Sequence, residues 1–370
     1  MKIAFVARTK GLEYDDRIRK ECISLSKKHD VFIFVNFEDN RQEEGLTSYG
    51  TPFKSFKLSS RERLPSAKYL LIKSLEFYFR VYPYLKQYDL VWSHEEYTFM
   101  FPLFAKPNGC IWDLHEIPFR FERKGMKQVF NYIEKKSRKI LHANNHRIKY
   151  LTEQSVIKHP KKHDYLRNLP DKQFLESTMK DRNYKDFIVW LDGSDYVYLQ
   201  GLSMPRRHPY NTVEAILNRA NLKAIVVGNF DKPTLLRLKE KYGNMLNNRV
   251  YFAGLVNQLH IPAYLRKAKF SIILYDIKTP NNRYCEPNRL YQAIIMNVPV
   301  VVGKNEPMTE IVESGEYGIA METDGDDLEE IDKSISILLD NYQYYHQNTK
   351  EGVKRLVWSD SSIKESWYFQ

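Results

Sequence analysis

Cysteine is scarce in this chain of 370 residues. The three present, Cys22, Cys110 and Cys285, lie far apart and show no CxxC or Cys/His spacing. That excludes a disulfide framework or a zinc finger and fits a reducing, cytoplasmic setting. Long apolar runs are missing as well, and nothing approaches the roughly 20 residues needed to cross a bilayer. The opening Met-Lys-Ile-Ala-Phe-Val-Ala reaches Arg8 too soon to form the core of a signal peptide. Any work at a membrane is therefore expected from the side, at the inner face of the plasma membrane. A P-loop and a GxGxxG are also lacking, and Gly11 stands alone in the first loop. Two acidic runs invite a metal. Asp324-Gly325-Asp326-Asp327 reads as the capped start of a helix, and Asp192-Gly193-Ser194-Asp195 as a turn. No resident metal or cofactor is expected.

What the chain does have is positive charge and tyrosine: net charge is +11, with 26 tyrosines. Such a surface suits nucleic acid, anionic lipid or phosphorylated substrates, or serves solubility alone. None of the familiar nucleic-acid motifs is present, so no nucleic-acid partner is expected. The length fits two domains of ordinary size.

Lys2-Ile3-Ala4-Phe5-Val6-Ala7 reads as a buried strand, and Asp15-Asp16 as the cap of a helix with Ile18, Cys22 and Leu25 on one face. Val31 to Val35 is a second strand, so the order is that of a parallel α/β sheet. Leu90-Val91-Trp92 and Gly109 to Asp113 continue it. A second set of strands is expected from about Phe187, including Tyr196–Leu199, Ala224–Val227, Arg249–Phe252, Phe270–Leu274 and Val298–Val302. The expected division is a first domain over 1–168, a linker over 169–186, a second domain over 187–349 and a last helix over 350–370. Between Arg61 and Lys86, Leu71, Leu75, Tyr78, Tyr82 and Leu85 recur at helical spacing among Lys68, Lys73, Arg80 and Lys86. This stripe faces either a core or anionic headgroups.

The chemistry concentrates in Asn281 to Val301, where a loop enters a short helix that runs into a buried strand. Free N–H groups near Asn288 and Arg289 favour an anion, Arg289 adds a full charge, and Gln292 lies one turn on from Asn288. That arrangement suits a diphosphate followed by a ribose. Earlier in the chain, Arg206 and Arg207 offer guanidinium forks that match phosphate. His115 and His94 end apolar strands, as buried structural histidines also do.

These segments resemble GT-B glycosyltransferases, in particular the large retaining family four, the group 1 glycosyl transferases. The resemblance rests on Pro287-Asn288-Arg289-Leu290-Tyr291-Gln292-Ala293, on Asp16 to Glu21 with His29-Asp30-Val31, and on Trp112-Asp113-Leu114-His115-Glu116. It extends to Leu166 to Pro170, to Tyr198 to Ser203 with Arg206-Arg207, to Arg249 to Gly254, and to Trp358 before a terminal helix. It implies an α/β GT-B fold, two Rossmann-like domains facing each other across a cleft, with a C-terminal helix crossing back to the first domain. It also implies transfer from a nucleotide-sugar donor to a glycan or lipid-linked acceptor in cell-surface polysaccharide biosynthesis, with retention and without metal.

By the same resemblance, His115, Arg206 and Arg207 are the catalytic candidates. Gly201, Glu286, Pro287, Asn288, Arg289, Leu290 and Gln292 fall on the donor side, and Gly11, His94 and Glu116 on the acceptor side. The sequence departs from the pattern at Gln292, where the family has a Glu, and at Tyr284, where an acid is usual. Two rival readings use the same fold: a sugar-nucleotide epimerase, for which no acidic and His cluster stands out, and a catalytically silent subunit, which Gln292 favours.

Overall fold

The computed structural model describes residues 1–65 and 68–368. The chain divides into two compact units, Met1–Asn168 with the tail from Ser359, and Leu169–Trp358. In the first, eight strands form one sheet: β1 (Lys2–Thr9), β2 (Asp30–Phe37), β3 (Glu44–Leu46), β4 (Pro52–Ser55), β5 (Leu90–His94), β6 (Cys110–Leu114), β7 (Lys139–His142) and β8 (His163–Tyr165). Their order is β3-β4-β2-β1-β5-β6-β7-β8, and only β3 and β4 pair antiparallel. Ile3 to Ala7 are fully buried, as expected of a central parallel strand covered on both faces.

The second unit holds β9 (Tyr196–Gln200), β10 (Lys223–Val227), β11 (Val250–Gly254), β12 (Phe270–Ile273), β13 (Val300–Val302) and β14 (Gly318–Ala320), in the order β11-β10-β9-β12-β13-β14. Alternation along β9 sends Tyr196 and Tyr198 into one core and Val197 and Leu199 into the other. Strand order reverses at β1/β5 in the first unit and at β9/β12 in the second. Ligands of open parallel sheets collect beyond the carboxyl ends of strands at such points, so topology alone directs attention to Thr9, His94, Gln200 and Ile273.

Several sequence expectations are corrected. Phe187 lies in a helix, Tyr184–Leu191, because it packs edge-on against Tyr196 and beside Tyr251, so the first strand of the unit begins only at Tyr196. Residues 169–186 do not run free as a linker: Phe174 is buried in the core of the second unit, and Asp181 accepts the Tyr264 hydroxyl at 2.5 Å. The expected last helix is Tyr342–Arg355 and stays in the second unit, where Gly352 lets it approach Ile294 closely. Trp358 donates its N–H to the Pro170 carbonyl at 2.7 Å, and only short 3-10 turns follow it. That tail joins the first unit through Lys27–Asp360 and Lys28–Glu365, both at 2.6 Å, and through the fully buried Trp367.

The helix Leu70–Leu85 buries Lys73, Ser74, Phe77, Tyr78 and Val81, so that Tyr78 is the member of the stripe that is buried. Phe77 packs against Phe56, Tyr97 and Phe101, which turns the helix so that Leu71 is 54% and Tyr82 46% exposed. Pro83 sits inside its last turn. The buried Lys73 reaches the Pro65 carbonyl at 2.5 Å. Among the described residues, no helix is long and apolar enough to cross a membrane.

Candidate functional site

In the first unit the helix Asp16–Ser26 starts at the cap Asp15, whose side chain accepts the Ile18 N–H. Its inward face carries charge beside Ile18, Cys22 and Leu25: Arg17, Lys20 and Glu21 are all buried. Arg17 grips Asp113 on β6 with both arms, Nε to Oδ2 at 2.7 Å and Nη2 to Oδ1 at 2.5 Å, and donates its other arm to the Leu166 carbonyl. Paired in this way, the two charges can remain ionised inside a core. Lys20 bonds Asp16 at 2.7 Å and Asn168 at 2.6 Å.

His115 stands above this pair. Its Nε2 lies 3.0 Å from Asp113 Oδ2 and its Nδ1 2.8 Å from Glu95 Oε1. Its carbonyl accepts from Arg147. His94 lies beneath it, 1% exposed and stacked on Phe5, with Nδ1 3.3 Å from His115 Nε2. His94 is thus packed behind His115 and supports its ring. Glu116 is exposed next to this cluster, and Gly11 is buried in the loop that follows β1.

Burial opposes the charge on Asp113, but Arg17 and then His115 hold its carboxyl well below the usual range. Burial, followed by the nearby Asp113 charge, pushes Glu21 well above it. His115 is held well above the usual imidazole value, because Glu95 and Asp113 together overcome burial. Burial lowers His94. The cluster thus sets the positive charge of Arg17 and His115 against Asp113 and Glu95, while burial works against charge on Glu21 and His94. His94, Asp113 and His115 bring ligand-type atoms within 4.8 Å of one another. Both Asp113 oxygens already face Arg17, whose charge stands beside the place a cation would take, so the trio works as a hydrogen-bonded charge network.

Glu95 was not visible as a site residue in the sequence. It follows β5 with φ 66° and ψ 167°, a conformation that costs a non-glycine residue about 1–3 kcal/mol. Arg17, Glu21 and Asp113 were missed as well. The available signal was charge on the apolar face of a capped helix, where charge is rarely left unpaired.

In the second unit two guanidinium groups converge on the end of β9. Gly201 turns there with φ +70°, its carbonyl accepting from Arg207, while the Gln200 carbonyl accepts from Arg289. Both cations also lie against Tyr275, at 5.2 and 4.7 Å from the ring centroid. Nε of Arg207, and Nε and Nη2 of Arg289, are buried without a hydrogen-bond partner, and among the described residues neither group has a carboxylate partner. Burial and the neighbouring Arg289 and Arg206 charges depress Arg207. Two like charges held this close without a counter-ion form a site for an anion.

Of the adjacent pair, Arg207 points inward. Arg206 is exposed, and its carbonyl accepts the Asp276 N–H at 2.8 Å. The helix Asn288–Ile295 begins after Pro287 without a side-chain cap. It carries Arg289, 7% exposed, and Gln292, 1% exposed, whose Oε1 has no partner. Leu290 departs from expectation, since its side chain is wholly in the core and its N–H is bonded to Pro287. Glu286 accepts the Tyr291 hydroxyl at 2.5 Å. Asp327 caps the helix Leu328–Asp340, and Gly193 turns at φ +70°, as the sequence suggested for the two acidic runs.

Residues 210–341, within the second unit, match the family model described as Glycosyl transferases group 1. A search of curated proteins returns no match to the sequence. Among solved structures, the fold is similar to sucrose-phosphate synthase from Thermosynechococcus elongatus, with TM-score 0.76 and 13% identity over 98% of this chain and 96% of that one. It is similar to Anabaena HepE in complex with UDP-glucose, at 0.73 and 15% over 99% and 98%. WaaG, a glycosyltransferase involved in lipopolysaccharide biosynthesis, follows at 0.64 and 14% over 95% of each chain. The two sheets and their helices are those of the GT-B fold.

Proposed function

We infer that this chain, a GT-B glycosyltransferase whose second unit carries the group 1 sequence, takes its sugar from a uridine diphosphate donor and passes it to a glycan or lipid-linked acceptor. The observation that carries this reading is the Arg207–Arg289 pair around Gly201, with buried N–H groups left for an anion. The leaving diphosphate meets those N–H groups and the uncapped start of the helix Asn288–Ile295, which offset its growing charge without a metal. Gln292 accepts a ribose hydroxyl one turn away. HepE is described in complex with UDP and UDP-glucose, which supports uridine as the base. His115 and Glu116 serve the acceptor side in the first unit, and the anomeric configuration is retained, as the family resemblance implies.

A role at an anionic membrane surface, in building cell-surface polysaccharide, is supported by the exposed Leu71, Ile72, Phe79 and Tyr82 along one helix, with Arg80 and Lys86 beside them. The three cysteines are buried and form no disulfide among the described residues, which favours a reducing, cytoplasmic setting. The test is a calorimetric screen of UDP, GDP, dTDP and their sugars with wild type and Arg207→Ala. UDP binding that is lost in the variant supports the reading. No binding of any nucleotide at millimolar concentration would sink it in favour of a silent subunit, the alternative that Gln292 in place of a carboxylate favours.

A further inference from the structure

We propose that Glu95 is a positioning residue that holds His115 as a fixed cation, so that His115 presents positive charge to a ligand and does not act as a base. The proposal rests on His115 belonging to the acceptor side of the site.

The argument begins with the backbone. Glu95 takes a turn that glycine would take freely, and the surroundings enforce it. Its N–H donates to the Asp113 carbonyl at 2.8 Å, while its own carbonyl accepts from the Trp112 indole at 2.9 Å and the Thr98 hydroxyl at 3.1 Å. The result aims the carboxylate at His115 Nδ1, 2.8 Å away.

Counting charges around the ring shows why this carboxylate matters. From the helix Asp16–Ser26, Arg17 takes both oxygens of Asp113, so Asp113 already shares its charge with Arg17 when it meets His115 Nε2. Glu21, on the same helix, faces Arg17 at 3.2 Å and His94 at 3.5 Å, not His115. His94, on β5, is buried and contributes no charge. Arg147, from the helix Asn145–Glu153, binds the His115 carbonyl and adds positive charge, and His142 on β7 is buried and neutral. Glu116 is exposed beside the ring. Glu95 is therefore the carboxylate left to balance an imidazolium, and with both ring nitrogens donating, neither has a lone pair to accept a proton.

The test follows the His115 ring by nitrogen NMR from pH 5 to 9 in the full chain, its signal assigned by its loss in His115→Gln. In wild type the ring loses its proton well above the ordinary imidazole range. In Glu95→Gln, which keeps the shape and the acceptor oxygen but not the charge, it titrates at least tenfold more easily, and Glu95→Asp restores the wild-type curve. Unchanged signals from His142 and His163, 2.8 Å apart in the first unit, report an intact fold. Identical titration in wild type and Glu95→Gln overturns the proposal. The acceptor-side reading fails separately, if His115→Gln transfers sugar from UDP-glucose as fast as wild type while the NMR difference persists.

Discussion

Arg207 and Arg289 meet at Gly201: a methyl group there would lie 2.8 Å from one guanidinium and 3.2 Å from the other. The glycine leaves the space in which the two arms turn toward a shared anion, and its φ of +70° already disfavours any side chain. Gly201→Ala is therefore expected to weaken UDP binding at least tenfold, about 1.4 kcal/mol, as measured by calorimetry. Wild-type affinity in this variant would separate the guanidinium pair from donor binding.

The two neighbouring arginines should behave differently. Arg207→Ala removes a buried donor to the diphosphate and is expected to cost about 2–4 kcal/mol of transition-state stabilisation, read in kcat/KM. Arg206→Ala changes an exposed side chain and should stay within about twofold, or 0.4 kcal/mol. Arg207→Lys should not rescue, since an ammonium cannot bond the Gly201 carbonyl and a phosphate with the same fork.

Gln292 sits where a carboxylate would make a stronger bond to a ribose hydroxyl. Gln292→Glu is expected to tighten UDP about fivefold and Gln292→Ala to weaken it about tenfold, near 1 and 1.4 kcal/mol. Equal affinities for all three proteins would remove Gln292 from the donor site.

Acid and alkali should loosen the first unit by different routes. Asp113 is depressed, so its contribution is present above the unfolded carboxyl value of about 3.9 and is lost as pH falls through the folded value. His115 is raised, so its contribution is full below the unfolded value of about 6.5 and is lost as pH rises through the folded one. Protection of the β5 and β6 amides from hydrogen exchange, taken relative to the intrinsic rate at each pH, should be greatest between these limits, and Asp113→Asn should shrink the acid limb.

Glu95 offers a direct measure of backbone strain. Glu95→Ala and Glu95→Gly both remove the carboxylate, but only glycine relieves the φ of 66°. Chemical denaturation should find the glycine variant more stable than the alanine one by about 1 kcal/mol. The reverse order would mean that the turn is not held as described.

The central strands of both sheets were legible in the sequence, because parallel strands are continuous apolar runs, and so were two helix starts, which Asp15 and Asp327 cap locally. The loop that enters a short helix after Pro287 was legible for the same reason, since Asn288, Arg289 and Gln292 are near neighbours along that helix. What sequence could not reveal were relationships that depend on chain folding. Arg17 and Asp113 are 96 residues apart, and Glu95 meets His115 only because β5 and β6 lie side by side. Arg206 and Arg207 differ by one step in a turn whose register no periodicity sets. The sequence left the face of Leu70–Leu85 undecided because Phe56 and Phe101, distant in sequence, settle which side is covered.

The tail from Ser359 has a consequence for the order of events during synthesis. Trp367, whose indole N–H reaches Asp164 at 2.9 Å, and Tyr368, whose carbonyl accepts from Arg138, complete a unit whose other 168 residues are made first. The ribosome therefore finishes all of the second unit before the first can close its last core position. The early unit must wait with that surface uncovered, so the nascent chain carries an interval of exposure to proteases and chaperones that lasts until Trp367 has been made.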